Sequence, residues 1–472
     1  MSKAFACGDV DSVDCPSSWL SNRSCQDNGA QTSGITFEES GVQSITSTTV
    51  EVQTDVSEKQ GPGSVDMTKL AAWLSKITPR VIEELEKNGR SRVFDEYKLQ
   101  DTMGCCIKHL YTIGLEQSHP QYNFCTSAID WSSTGGMLVI GRSAKEHSSW
   151  CDHPGSVFLH QTNRQEKKSE LPYRLLDVSS CVTAVSAHPN ESFILACGTY
   201  SGEVIVWNLQ RDDPIVIGNM TLHSEAVIHM EWVQNYGVTN ARPVLASASR
   251  DGSVIIWTMK TSSNTLKVSQ CFVLQTEKDA TDLGIICAKF NPSNSSQFLA
   301  GVEGGSVAIC STDSRRPCQR KRALSNKDLD CCDPVLNFLD GHKGTVTGVQ
   351  WVPGSKDLFL SCGTDLELRV YSLTDLSVLR IIHLPQPSCG LEIISSHPNI
   401  AVTWSSSGAI HLHDVHTAKM LPPLDMDNGI GKIPLSVVRV RTSSSQLFAL
   451  GSSEGKVFVW QVPHVNFSNN CT

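Results

Sequence analysis

One pattern recurs seven times in the 472-residue chain, and it constrains the fold more than any other feature. Each copy is an apolar strand, a short polar turn closing on Gly, and alternating apolar residues that end five positions after that Gly. The copies are "GSVFLH" (155–160), "GEVIVW" (202–207), "GSVIIW" (252–257), "GSVAIC" (305–310), "LELRVY" (366–371), "GAIHLH" (408–413) and "GKVFVW" (455–460). Six begin with Gly, and Leu366 takes its place in the fifth. The end residues His160, Trp207, Trp257, Cys310, Tyr371, His413 and Trp460 stand 42 to 61 residues apart. A strand rich in small residues precedes each copy, as in "SFILACG" and "LFALGSS", and it is expected where facing sheets converge on an axis. Another strand comes before that, as in "SAIDWS", "IHMEWV" and "GVQWVP". Three visible strands plus a variable outer one per repeat make one blade of a propeller. The expected fold class is therefore all-β, a seven-bladed propeller over 105–463 with a short tail at 464–472. An open array would leave unpaired strand edges. Closure is expected, with "CCIKHLYTI" (105–113) as the outer strand of the last blade.

What precedes the repeats is different in kind. Residues 1–66 carry most of the formal net charge of −9 and only three aromatics, Phe5, Trp19 and Phe37. Such a segment cannot bury enough apolar surface to offset its ordering entropy, so it is expected to be disordered. Within it, "VEVQTD" (Val50, Glu51, Val52, Gln53, Thr54, Asp55) alternates with the period of a β-strand. A strand in an unfolded tail can pair with the sheet edge of another protein. Residues 67–104 form the helical segment and linker. Leu70, Trp73, Leu74 and Ile77 mark one helical face over 67–88, and Val81, Ile82 and Leu85 extend the stripe. Thr78-Pro79 reads as an N-cap and first-turn proline that restarts or kinks the helix, and Asn88-Gly89 as its stop.

Chemistry is sparse. No phosphate-binding loop and no H-E-x-x-H is present, so no catalytic and no cofactor-binding residue is expected. The 18 cysteines include no C-x-x-C, so no metal site is expected and the thiols are read as free. His188-Pro189 and His397-Pro398 read as turn residues, and His411 and His413 as pointing to opposite strand faces, a poor ligand pair. The basic run "RRPCQRKR" (315–322) reads as a solvated insertion between blades. A nearly neutral body does not favour nucleic acid. No run of about 18 apolar residues and no signal-peptide pattern is seen, which points to a soluble intracellular protein without membrane insertion.

The repeats, with "GH" at 341–342 and Trp at three blade ends, resemble WD repeats, although no blade ends in Trp-Asp. The order of acidic tail, "VQT" strand, amphipathic helix and degenerate propeller resembles the dynein intermediate chains. "LAAWLSKITPRVIEELEKNGRSRVFDEY", "LYTIG", "TSAIDWSSTG" and "LFLSCGTDLELRVYSL" are similar to the dynein 2 branch, the intraflagellar-transport motor. The resemblance implies a non-catalytic scaffold subunit of the cytoplasm, cytoskeleton and cilium (axoneme and basal body). Its propeller would grip the heavy chain. Gln53-Thr54 would bind a hub-type light chain and the 67–88 helix a roadblock-type one, pairing the subunit with a second intermediate chain. The family's strand motif has Thr where this chain has Val52. The alternative is a propeller adaptor of another complex, such as a substrate receptor of a ubiquitin ligase.

Overall fold

The computed structural model describes residues 67–90 and 106–461, apart from 115–121, 148–150, 152, 163–172, 212, 238–241, 261–264, 277–280, 325–326, 395–397, 422–424, 427–432 and 442–446. The strand motif Val50–Asp55 lies outside the described residues. The chain divides into two units, 1–98 and 99–472.

In the first unit, helix α1 runs unbroken from Met67 to Arg90, with Pro79 inside it. This corrects the expected restart at Thr78. The Thr78 hydroxyl donates to the carbonyl of Leu74 one turn back, at 2.7 Å, so it acts within the helix rather than capping a new one. Pro79 lacks only its own N–H, and the neighbouring Ser75 hydroxyl donates to Ala72 O.

The second unit is a seven-bladed propeller of antiparallel sheets. Blade 1 has strands Phe124–Trp131, Met137–Ala144, Gly155–Gln161 and Arg174–Val178 in that order across the sheet, and the later blades repeat it. The seven recurrent motifs form the third strand of each blade. Their end residues are buried in matching register, facing Leu138, Leu195, Leu245, Phe298, Phe359, Ala401 and Phe448 of the second strand. The turn before the third strand takes a positive φ at Gly202, Gly252, Gly408 and Gly455, and Leu366 is forced into the same region at φ 66°.

The innermost strand is the first of each blade, not the small-residue second strand, which corrects that expectation. Inner strands bond directly to one another: Ser127 Oγ donates to Val182 O, Thr183 Oγ1 to Val227 O and Ser436 Oγ to Thr126 O. The second strand's small residues serve a different purpose, letting adjacent sheets approach face to face. A Cβ on Gly198 would sit 2.5 Å from Val227, and one on Gly141 2.6 Å from Val182.

A second set of contacts holds the inner strands at their far ends. Trp131, Trp232 and Trp351 each end an inner strand, and each donates its indole N–H to the preceding blade, to Arg439 O, Ser186 O and Lys289 O. The residue before each aromatic makes polar contacts across the blades. Glu231 of blade 3 meets Lys289 of blade 4 at 2.6 Å. Arg439 of blade 7 meets Asp130 of blade 1 at 3.1 Å and Glu392 of blade 6 at 2.7 Å.

Closure follows the sequence reading. Cys106–Gly114 pairs antiparallel with Lys456–Gln461 as the outer strand of blade 7, joining one end of the propeller segment to the other. The 61-residue gap between Cys310 and Tyr371 has a structural cause. Arg316–Leu324 and Lys327–Asp333 form a hairpin, and its second strand pairs parallel with the outer strand of blade 3, Phe272 opposite Cys332. The basic run thus belongs to a hairpin at the edge of a neighbouring blade, and its described residues Arg315 and Arg316 are exposed.

Candidate functional site

The first candidate surface is helix α1, taken by itself. Trp73, Leu74, Val81, Ile82 and Leu85 are all about half exposed, while Leu70 and Ile77 are partly covered. These are the residues the periodicity selected, and they form one long apolar stripe. Burying a side chain of this size is worth about 1.5–3 kcal/mol. Beside the stripe, Lys87 pairs with Glu83 and Glu84 in solvent.

The blade-end residues are not contact residues. They sit in the sheet interiors, and in three blades they anchor buried hydrogen-bond relays. In blade 3, the Trp257 indole N–H donates to Ser247 Oγ at 2.8 Å, and Ser247 Oγ lies 2.8 Å from His223 Nε2. His223 Nδ1 is 2.8 Å from Ser253 Oγ, whose hydroxyl donates to Asp251 Oδ1. Blade 5 repeats this with His342 between Ser361 (2.6 Å) and Asp365 (2.8 Å), and Tyr371 stands where Trp would. Burial lowers the His342 pKa against the opposing pull of Asp365. Blade 6 keeps the shortest version, His413 Nε2 to Thr403 Oγ1 at 2.8 Å. The "GH" at 341–342 signalled one relay, but His223 was missed because the residue before it is Leu222, not Gly.

His188 Nδ1 accepts from the N–H groups of Asn190 and Glu191, closing a turn, and burial lowers its pKa to about 4. His397 lies outside the described residues. His411 and His413 share a strand face, since residues two apart point the same way, which corrects the expected opposition. Their rings stand 6.4 Å apart.

An axial cavity of about 460 Å³ opens between the inner strands, lined in part by Ser127, Thr183, Ile228, Ile286, Thr347 and Cys389 from blades 1 to 6. Two groups of metal-ligating side chains converge among the described residues: His342, Asp365 and Glu367, and His147, Cys151, His153 and Cys181. The first belongs to the blade 5 relay, where Arg369 occupies the carboxylates, 2.7 Å from Glu367 and 3.8 Å from Asp365.

Fold and relays together define the chain as a WD-repeat β-propeller protein. The pattern of the "WD domain, G-beta repeat" family matches at 173–208 and 333–372, the latter spanning the blade 5 relay. Over most of its length the chain resembles dynein intermediate chains. Cytoplasmic dynein 2 intermediate chain 2 of Mus musculus is 26% identical over 475 residues, covering 95% of this chain and 87% of the relative. The Homo sapiens protein of that name is 26% identical over 425 residues, covering 85% and 77%. Cytoplasmic dynein 1 intermediate chain of Drosophila melanogaster is 24% identical over 356 residues, covering 72% and 48%.

Proposed function

We propose that this chain is the non-catalytic intermediate chain of a dynein 2 motor, scaffolding the heavy chain and light chains for retrograde intraflagellar transport and cilium assembly. The observation that carries the reading is the span of the similarity. It covers 95% of the chain, so it extends beyond the propeller into the N-terminal region that a generic WD-repeat adaptor has no reason to share. Two features support the division of labour. Gln53-Thr54 in its alternating strand suits addition to the sheet edge of a hub-type light chain. The largely exposed stripe Leu70, Trp73, Leu74, Ile77, Val81, Ile82 and Leu85 suits the groove of a roadblock-type light chain, which takes a helix by its apolar face. Two light-chain contacts on one tail raise avidity and allow a second intermediate chain to be held alongside. The propeller is then left for the heavy chain, in the cytoplasm and at the axoneme and basal body.

The test is co-expression of the full chain with one light chain of each type. Trp73→Glu with Leu85→Glu is expected to release the roadblock-type chain and keep the hub type. Gln53→Ala with Thr54→Ala is expected to do the reverse. If both light chains stay bound to both variants, the assignment of these residues is wrong.

A further inference from the structure

The cluster His147, Cys151, His153 and Cys181 belongs neither to a relay nor to the surfaces assigned above. His147, Cys151 and His153 lie between the second and third strands of blade 1, which end and begin at Ala144 and Gly155. Cys181 comes from the next blade, one residue before the inner strand Val182–Ala187. One ligand atom from each lies within 4.8 Å of all the others. Cys151 Sγ is 3.8 Å from His153 Nδ1, close to the edge of a tetrahedron built on zinc–sulfur and zinc–nitrogen bonds of about 2.3 and 2.0–2.1 Å.

The surroundings are those of a held ion. The Cys181 backbone N–H donates to Cys151 Sγ at 3.3 Å, and the Ala144 N–H points at Cys181 Sγ at 3.1 Å. Such donors orient metal thiolates and stabilise their charge. The ring of His147 is fixed by stacking on Tyr200, with centroids 4.0 Å apart, and that of His153 by the edge of Tyr122 at 4.7 Å. His147 Nε2 is nevertheless buried without a hydrogen-bond partner among the described residues. A buried imidazole nitrogen with nothing to bond is costly, and a cation at the centre of the cluster would satisfy it.

We propose that His147, Cys151, His153 and Cys181 form a structural zinc site that clips blade 1 to blade 2. Two thiolates and two neutral imidazoles make a four-coordinate set of the kind zinc favours, and sulfur selects against magnesium and calcium. Two thiolates also cancel the ion's charge. The site lies beside the axial cavity, whose lining includes His147 and Tyr200.

The test uses the full chain, purified under reducing conditions and passed through a weak chelator before metal analysis. About one zinc per chain is expected, and added Co²⁺ should give thiolate charge-transfer and tetrahedral ligand-field bands. Cys181 is fully buried, so its variants are at risk of misfolding. Cys151→Ser and His153→Ala, at half-covered positions, carry the test instead. Each should lose most of the zinc while keeping the wild-type far-ultraviolet circular dichroism. The proposal is overturned if the wild-type chain takes up neither zinc nor cobalt, or if both variants retain the metal. It is equally overturned if peptide mapping finds Cys151 and Cys181 joined in a disulfide.

Discussion

Replacing Arg439 by Met tests how the ring is held shut. Arg439 bridges three blades, with Nε 3.1 Å from Asp130 and Nη1 2.7 Å from Glu392. Burial works against its charge, yet Glu392 and Asp130 more than offset this and hold the guanidinium well above the ordinary arginine pKa. Removing one partner of a fully buried ion pair costs about 3–5 kcal/mol, because the other charge is stranded. Here the penalty is smaller for two reasons. The Arg439 side chain is 31% exposed, so solvent screens part of the loss. Asp130 also keeps the Ala187 N–H at 2.8 Å, and Glu392 keeps Gln350 at 3.3 Å. The expected loss is therefore about 2–3 kcal/mol. At about 2.1 cal/mol/K per residue over roughly 350 residues, that lowers Tm by about 3–4 °C. Scanning calorimetry and urea unfolding of Arg439→Met measure it. Adding Asp130→Asn should recover about 1 kcal/mol, since one stranded charge is then gone. A single-variant loss below about 0.5 kcal/mol would refute the claim that this triad secures closure.

Three further predictions concern the propeller. Leu366 holds a left-handed conformation that five of the other blades give to Gly, and its side chain is 40% exposed, so the strain relieved by Leu366→Gly should outweigh the packing lost and stabilise the protein by about 0.5 kcal/mol in urea unfolding. His223→Ala should cost about 2–3 kcal/mol by the same measurement, because Ser247 and Ser253 each lose one of their buried hydrogen-bond partners. His413 has its pKa lowered by burial to about 4, below the ordinary value near 6.5, so the unfolded chain binds the proton first. Its contribution is intact above about pH 6.5 and is lost as pH falls toward 4. Between pH 7 and 5 it should cost about 2 kcal/mol, a slope that His413→Gln should reduce.

The repeats made the propeller legible because a strand's period-2 alternation and its Gly turn are local signals. What they did not convey was radial position. The second strand's small residues look like an axis, yet they are small because whole sheets pack across them, as Gly198 does against Val227. The hairpin at 316–333 was visible only as excess length, since its pairing partner Phe272 lies in another blade. The α1 stripe could be read directly from spacing, whereas the continuity of the helix through Pro79 could not. Cys181 was invisible as a metal ligand for the same reason as the hairpin: its companions are brought to it only when blade 1 docks on blade 2.

The central claim is tested most directly by affinity capture of the full chain and of residues 89–472 from ciliated cells, with heavy chain and light chains quantified by mass spectrometry. The full chain should bring down dynein heavy chain and both light-chain types, and 89–472 should keep the heavy chain while losing the light chains. Capture of ubiquitin-ligase components in place of dynein subunits, or of no dynein subunit by either form, would contradict it.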